Sequence, residues 1–431
     1  MSIAFALAIG VIFLLAAIGA PVAYAIFVGS LAYLALDGQG IGGMGKIVMD
    51  GLYQSFILLA VPLFIVAANI MNAGTVSDRL LAFCVALVGR FRGGLAHVNV
   101  LASLVFSGMS GSAVADAAGI GKIIIDMMVR SGHYSRGYAA AITAASATIG
   151  PIIPPSIPMV LYALVSNASI GYLFLGGIVP GLMMALVLMA MNVWISRRRG
   201  FEPDEVVPMT ELPGRTLRAF PALLMPAILL YGIYGGVTTP TEAAAVAAFY
   251  ALVLAGLFYR ALTLGALYRL LLDSVRSSAA VGLVIGGALI LNYVVASENI
   301  PALLARHLVA LDVSPLVFLL GFNLLLLVLG CLLDATTLIL VVIPLFLPSV
   351  RELGIDLVHF GVVAVVNSMI GLITPPYGVL LFVINAVNRV PLSEIVAEIW
   401  PFLAALLLAL LALVLWPQLV LTLPRMMGYQ R

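Results

Sequence analysis

The sequence predicts an all-α polytopic membrane protein built from two inverted-topology repeats, each with a re-entrant helical hairpin and a broken helix. Three observations carry that prediction. Of 431 residues, 64% are hydrophobic and only 9% charged, whereas soluble domains carry about a quarter charged residues. About ten stretches reach the roughly 20 apolar residues that a spanning helix needs. Finally, Ile149-Gly150-Pro151-Ile152-Ile153-Pro154-Pro155 recurs as Ile370-Gly371-Leu372-Ile373-Thr374-Pro375-Pro376, at an offset of 221.

The elements follow in order. Met1 to Ala20 lacks the basic start of a cleavable signal peptide, so it is expected to remain as the first span, 2–19. Further spans are expected at 21–37, 54–73, 137–167, 171–195, 219–236, 240–259, 277–296, 357–388 and 395–423. Gly38 to Gly45 reads as an exterior loop. Residues 95–129 and 315–349 are apolar but interrupted, by Ser107-Gly108-Met109-Ser110-Gly111-Ser112 and by Gly330-Cys331-Leu332-Leu333-Asp334-Ala335-Thr336-Thr337. A shorter charged segment precedes each, 76–92 and 300–311, suited to the membrane interface. The 221-residue offset sets Ser110 opposite Cys331 and Asp116 opposite Thr337.

Sidedness tests the hairpin reading. With the N-terminus outside and each hairpin entering and leaving on one side, 14 Lys and Arg fall inside and five outside, Lys122 lying within the first hairpin. Cytoplasmic loops are enriched in this way, and both termini are then periplasmic. Five crossings precede the Arg-rich segment 196–218 and five follow it, so the second half is inserted upside down, as in secondary transporters. The chain divides into first scaffold spans (1–75), a first arm, hairpin, broken helix and span (76–195), a cytoplasmic linker (196–218), second scaffold spans (219–296) and a second arm, hairpin, broken helix and last span (297–431).

The interruptions are where chemistry is expected. Proline removes a backbone donor and clashes with the preceding turn, and unsatisfied backbone groups cost several kcal/mol each in hydrocarbon. A packed kink is one reading of each Pro-Pro; a cavity or ion site that uses the freed carbonyls is the other, and the doubled pattern favours it. Ser107, Ser110, Gly111 and Ser112 at one tip, and Asp334, Thr336 and Thr337 at the other, offer the hard oxygens that a cation such as Na⁺ takes. Asp116 and Asp334 would each cost about 2.5–3.5 kcal/mol at a lipid-facing helix centre, so they should face protein, water or an ion; Asp116 has Lys122 as an alternative partner. Helix pieces beginning at the breaks point partial positive charge at the site, which suits a carboxylate. Around that space Pro154, Pro155, Ser156, Asp116, Thr374, Pro375 and Tyr377 are the expected substrate-facing residues. For Ser156 and Tyr377 the competing reading is a hydroxyl bonded to its own helix.

Other features read as structural. Cys84 and Cys331 are expected as buried small hydrophobes, and His97, His133, His307 and His359 have no metal-ligand spacing. Trp194, Trp400 and Trp416 lie near span ends as an aromatic belt, and Arg197-Arg198-Arg199 reads as a topology determinant first and a lipid-headgroup contact second. A net charge of +2 says nothing by itself about nucleic-acid or acidic partners, and no nucleic acid is expected. No phosphate-binding Gly-x-x-x-x-Gly-Lys-Ser/Thr loop occurs, which argues against direct ATP drive, and no nucleophile–base or zinc constellation suggests an intramembrane enzyme.

At Phe106-Ser107-Gly108-Met109-Ser110-Gly111-Ser112-Ala113-Val114-Ala115-Asp116, Thr148-Ile149-Gly150-Pro151 and Pro154-Pro155-Ser156 the chain resembles the large membrane subunit of tripartite ATP-independent periplasmic (TRAP) transporters, the DctM-like family. The likeness extends over essentially the whole chain, including Asp334 and Thr374-Pro375-Pro376. It implies a sodium-coupled importer in the bacterial inner membrane, using an elevator-type transport domain that slides on a scaffold. On that pattern one ion site would use Ser107, Ser110, Gly111, Ser112 and Gly150, and a second Asp334, Thr336, Thr337 and Gly371. A small four-helix membrane subunit, expected as a separate chain since no further helices precede Ser2, and a soluble periplasmic binding protein would be the partners. The expected substrate is an organic anion, a sialic acid or C4-dicarboxylate. The rival reading is a stand-alone sodium–carboxylate symporter.

Overall fold

A computed structural model of the chain describes residues 2–38, 42–53, 55–72, 75–203 and 207–430. Among them every element is helical apart from one isolated bridge between Arg92 and Pro203. Helices α1 (Ile3–Ala17) and α2 (Val22–Leu36) pack as a pair and α2 leans on α14 (Leu264–Ser297). The segment expected as an exterior loop is helical in its described C-terminal part, where α3 (Gly43–Tyr53) begins. Its apolar Met44, Val48 and Leu52 are partly buried against neighbouring residues, and the helix packs on α14. Next come α4 (Ala60–Met71) and α5 (Thr75–Val88).

The first interrupted stretch forms α6 (Gly94–Ser110), the short α7 (Ala113–Ala118) and α8 (Ile120–Ser131), with α8 packed back on α6. The span expected at 137–167 is two helices, α9 (Arg136–Ala147) and α10 (Ile157–Ser166), parted at the Pro-Pro. α11 (Ile170–Arg199) and α12 (Leu212–Tyr234) run into the expected linker, which shrinks to about the residues between them. Arginine is a good helix former and Arg197 to Arg199 suit the negative end of the α11 dipole. α13 (Pro240–Val253) starts at a capping box made by Thr239 and Glu242. α14 is 34 residues long, well beyond the expected 277–296.

The second half continues with α15 (Ile300–Ala310), α16 (Pro315–Gly330), α17 (Ala335–Thr337) flowing through a widened turn into α18 (Ile343–Glu352), then α19 (Leu357–Gly371), α20 (Val379–Asn388), α21 (Leu392–Leu415) and α22 (Gln418–Met426). Among the described residues six helices are long and apolar enough to cross a membrane: α11, α12, α13 with its extension, α14, 335–352 and α21. The protein is a multi-pass membrane protein.

Packing sorts the helices into two groups. α1, α2, α4, α12, α13 and α14 contact one another extensively, and α6, α8, α9, α11, α19 and α21 do the same. Across the divide α4 touches α6 and α10, while α14 touches 335–342 and α18. The site lies on that divide.

Candidate functional site between the two helix groups

Each interruption is shaped by local chemistry. α6 stops because Gly111 takes φ +57° and leaves the helix, its N–H bonding Ser107 O at 3.4 Å. A Cβ at Gly111 would lie 2.4 Å from Pro155 O, so only glycine lets the hairpin tip touch the broken helix. Gly150, on the other side of that break, lies against the Ser112 backbone. In the second half Gly371 meets Gly330 so closely that a Cβ on it would be 2.8 Å from Gly330 Cα. Gly378 N–H then donates to Cys331 O at 3.1 Å, tying break to tip. Both Pro154-Pro155 and Pro375-Pro376 are cis.

Between the tips and the other helix group opens a cavity of about 430 Å³. Ser110, Gly111 and Ser112 line it from the first tip, and Asp334, Ala335 and Thr336 from the second. Pro151, Ile157 and Pro158 close it from the first broken helix; Asn69 of α4 and Ser277 of α14 face it from the other group. Among the described residues no Lys, Arg or His lines it. The N-termini of α10 and of the run from Ala335 to Glu352 open on it instead.

Five of the expected residues therefore reach one cavity: Ser110, Gly111, Ser112, Asp334 and Thr336. Ser110 Oγ is buried with no hydrogen-bond partner among the described residues, so its hydrogen-bonding capacity is unused. Ser112 caps α7 through Ala115 N–H at 3.4 Å. Asp334 caps α17, accepting from Thr337 N–H at 3.2 Å and Thr337 Oγ1 at 2.5 Å. Thr337 is thus held behind Asp334, outside the cavity lining.

The other expected residues sit elsewhere. Ser107 is buried and donates to Leu104 O at 2.5 Å; Gly150 and Gly371 are backbone contact points. Ser156 caps α10 by accepting from Met159 N–H at 3.2 Å while donating to Pro151 O. Thr374 donates to Ile370 O at 2.8 Å in its own helix end. Pro154 and Pro155 turn carbonyls toward Gly108 and Gly111. Pro375 is outside the cavity lining, and Tyr377 is 49% exposed with its ring against Phe382. Its counterpart role as a cap passes to Gly378, which starts α20 with φ +51°. Asp116 is 4% exposed and neither carboxylate oxygen has a hydrogen-bond partner among the described residues. It faces α6, where Ser103 stands close by but donates to Ser146 at 3.0 Å. The pairing with Lys122 does not form: Asp116 is buried and Lys122 is exposed.

Two cavity residues escaped the sequence reading. Asn69 donates to Ser274 Oγ at 2.8 Å and so pins α4 to α14 beside the cavity; Ser277 lies one turn further along α14. An amide inside an otherwise apolar span was the available signal for Asn69.

Residues 9–419 match the family described as tripartite ATP-independent periplasmic transporter, DctM component. The chain belongs to this family. It is 41% identical to the sialic acid TRAP transporter large permease protein SiaM of Vibrio cholerae, over 95% of this chain and 96% of that one. It is 40% identical to the C4-dicarboxylate large permease DctM of Pseudomonas aeruginosa, over 87% and 88%. It is 36% identical to the sialic acid permease protein SiaT of Haemophilus influenzae, covering 95% of this chain but 66% of SiaT. Among solved structures, the YdaH transporter of Alcanivorax borkumensis superposes with a TM-score of 0.62 at 16% identity, covering 87% of each chain, a likeness of fold. As a DctM component the chain is a transporter permease subunit and not an enzyme, and family membership implies a small membrane subunit and a periplasmic binding protein as partners.

Proposed function

We propose that this chain imports an organic anion across the bacterial inner membrane in symport with sodium, the anion being handed over by a periplasmic binding protein. The observation that carries the reading is the one cavity on which both hairpin tips, a broken helix and the opposing helix group converge. Its size of about 430 Å³ suits a small ligand. An anion there is met by hydroxyls and by two helix N-termini, which favour negative charge. Ser110, Ser112, Gly150 and neighbouring carbonyls form the first sodium site, and Asp334, Thr336 and the Gly330–Gly371 contact the second. Relatives named for sialic acid, C4-dicarboxylate, 2,3-diketo-L-gulonate and isethionate support an organic anion as the substrate class.

The two halves are inverted repeats: shifted by 221 residues, α6, α9, α10 and α11 fall on α16, α19, α20 and α21 to within a few residues at their starts. On this reading the α6–α11 and α16–α22 body slides as an elevator past α1–α4 and α12–α14, and α5 and α15 are its arms. The four-helix small subunit buttresses the fixed group, and the termini are periplasmic. Proteoliposomes holding both membrane subunits, given the loaded binding protein and an inward sodium gradient, test the proposal. Uptake is expected only with sodium and binding protein together. Uptake without the binding protein would make the chain a stand-alone symporter, and uptake indifferent to sodium would remove the coupling.

A further inference from the structure

A second cavity, of about 460 Å³, opens where α5 hands over to α6, against the last turns of α11. Arg92 and Arg197 stand at its rim, His97 lies buried in its wall, and Phe91, Met189 and Ala190 give it an apolar side. Among the described residues no carboxylate lines it, and neither Arg92 nor Arg197 forms an ion pair. Glu202 contributes its carbonyl to this junction, accepting from Gly93 N–H at 3.4 Å. The surroundings are those of a membrane interface: Arg90 lies 5.5 Å over the Phe91 ring and Arg198 5.3 Å over Trp194. The basic cavity between α5 and α12 differs. There Arg79, Arg215 and Arg218 share the space with Asp78 and Glu211, and Arg215 is bound to Glu211 at 2.9 Å.

We propose that the cavity at the α5–α6 joint binds an anionic phospholipid, with Arg92 and Arg197 on the headgroup phosphate and an acyl chain over Phe91, Met189 and Ala190. Guanidinium groups fork onto phosphate oxygens, and basic pockets between spanning helices select anionic headgroups. The apolar side separates a lipid from free phosphate, which has no chain to lay there. A lipid so held bridges the arm helix to the first hairpin. The site stands independently of the transported substrate.

Native mass spectrometry of the full chain, taken from nanodiscs of phosphatidylcholine with a minor share of phosphatidylglycerol, tests the site. The wild type is expected to retain phosphatidylglycerol preferentially, and R92Q/R197Q to hold it roughly thirtyfold more weakly. R92K/R197K keeps the charges and should retain most of the preference, which separates binding from misfolding. Ala190→Trp fills the apolar side without touching a charge and should also release the lipid. Unchanged retention in R92Q/R197Q overturns the proposal. So does an equal loss in the control R79Q/R218Q, which would mark bulk charge, or full retention in A190W with displacement by inorganic phosphate, which would mark a free-phosphate site.

Discussion

Asp334 carries two roles that a single alanine cannot separate. Its carboxylate caps α17 through Thr337 N–H and Oγ1, and the same side chain lines the cavity. Losing an N-cap costs about 1 kcal/mol, while a charged hydrogen-bonding ligand contributes about 1.5–3 kcal/mol. Asp334→Asn keeps a capping oxygen and removes the charge, so it is expected to fold normally and to need roughly tenfold or more sodium for half-maximal uptake. Asp334→Ala should add a loss of thermal stability. Sodium titrations of uptake beside melting curves check both; an Asn variant with wild-type sodium dependence would leave Asp334 a cap only. Ser110→Ala is the complementary case. Its hydroxyl has no partner to lose, so stability should hold while sodium or substrate affinity falls by several-fold. The sequence exposed both residues as polar intrusions in apolar runs. It did not reveal the direction of Asp116, because α7 is under two turns long and the facing of so short a piece is set by what it packs on, here α20, α8, α9 and α6.

At the scale of elements, the contact between Gly330 and Gly371 decides how closely the second hairpin approaches its broken helix. A methyl at Gly371 would stand 2.8 Å from Gly330 Cα and 2.9 Å from Gly330 C, backbone atoms that cannot swing aside. Overpacking of this kind costs about 1–3 kcal/mol. Gly371→Ala is expected to lower the melting temperature and to weaken sodium dependence, whereas Gly321→Ala in α16, with open space around it, should change neither. Equal behaviour of the two variants would show that the approach is unimportant. Helix interiors were legible from apolar runs, and the helix breaks at 148–156 and 372–378 from paired prolines. Helix ends were less so: α11, α12 and α14 continue beyond their apolar windows because charged residues form helix well once outside hydrocarbon. The apolar composition that announces a span says nothing about where its helix stops.

Over the whole molecule, the proposed mechanism requires the two helix groups to move past one another, and a side-chain hydrogen bond of α14 is among the contacts across that boundary. Asn292 of α14 donates its side-chain amide to Leu340 O at 3.3 Å, fastening the fixed group to the widened turn after the second tip. Within the moving group, Asn367 donates to Asn323 Oδ1 at 2.7 Å, between α19 and α16. Both native cysteines, Cys84 and Cys331, are free and buried, so a background with Cys84→Ala and Cys331→Ala leaves introduced pairs unambiguous. In that background Asn292→Cys with Leu340→Cys, once oxidised, is expected to stop uptake and to regain it on reduction. The pair Asn323→Cys with Asn367→Cys joins helices that travel together, so its oxidation should leave most uptake in place. Uptake unaffected by the first bridge would mean that α14 and the second hairpin remain in register throughout the cycle, and the sliding of one group on the other would have to be given up. Arrest by the second bridge alone would instead place the essential motion inside the hairpin body, between α16 and α19.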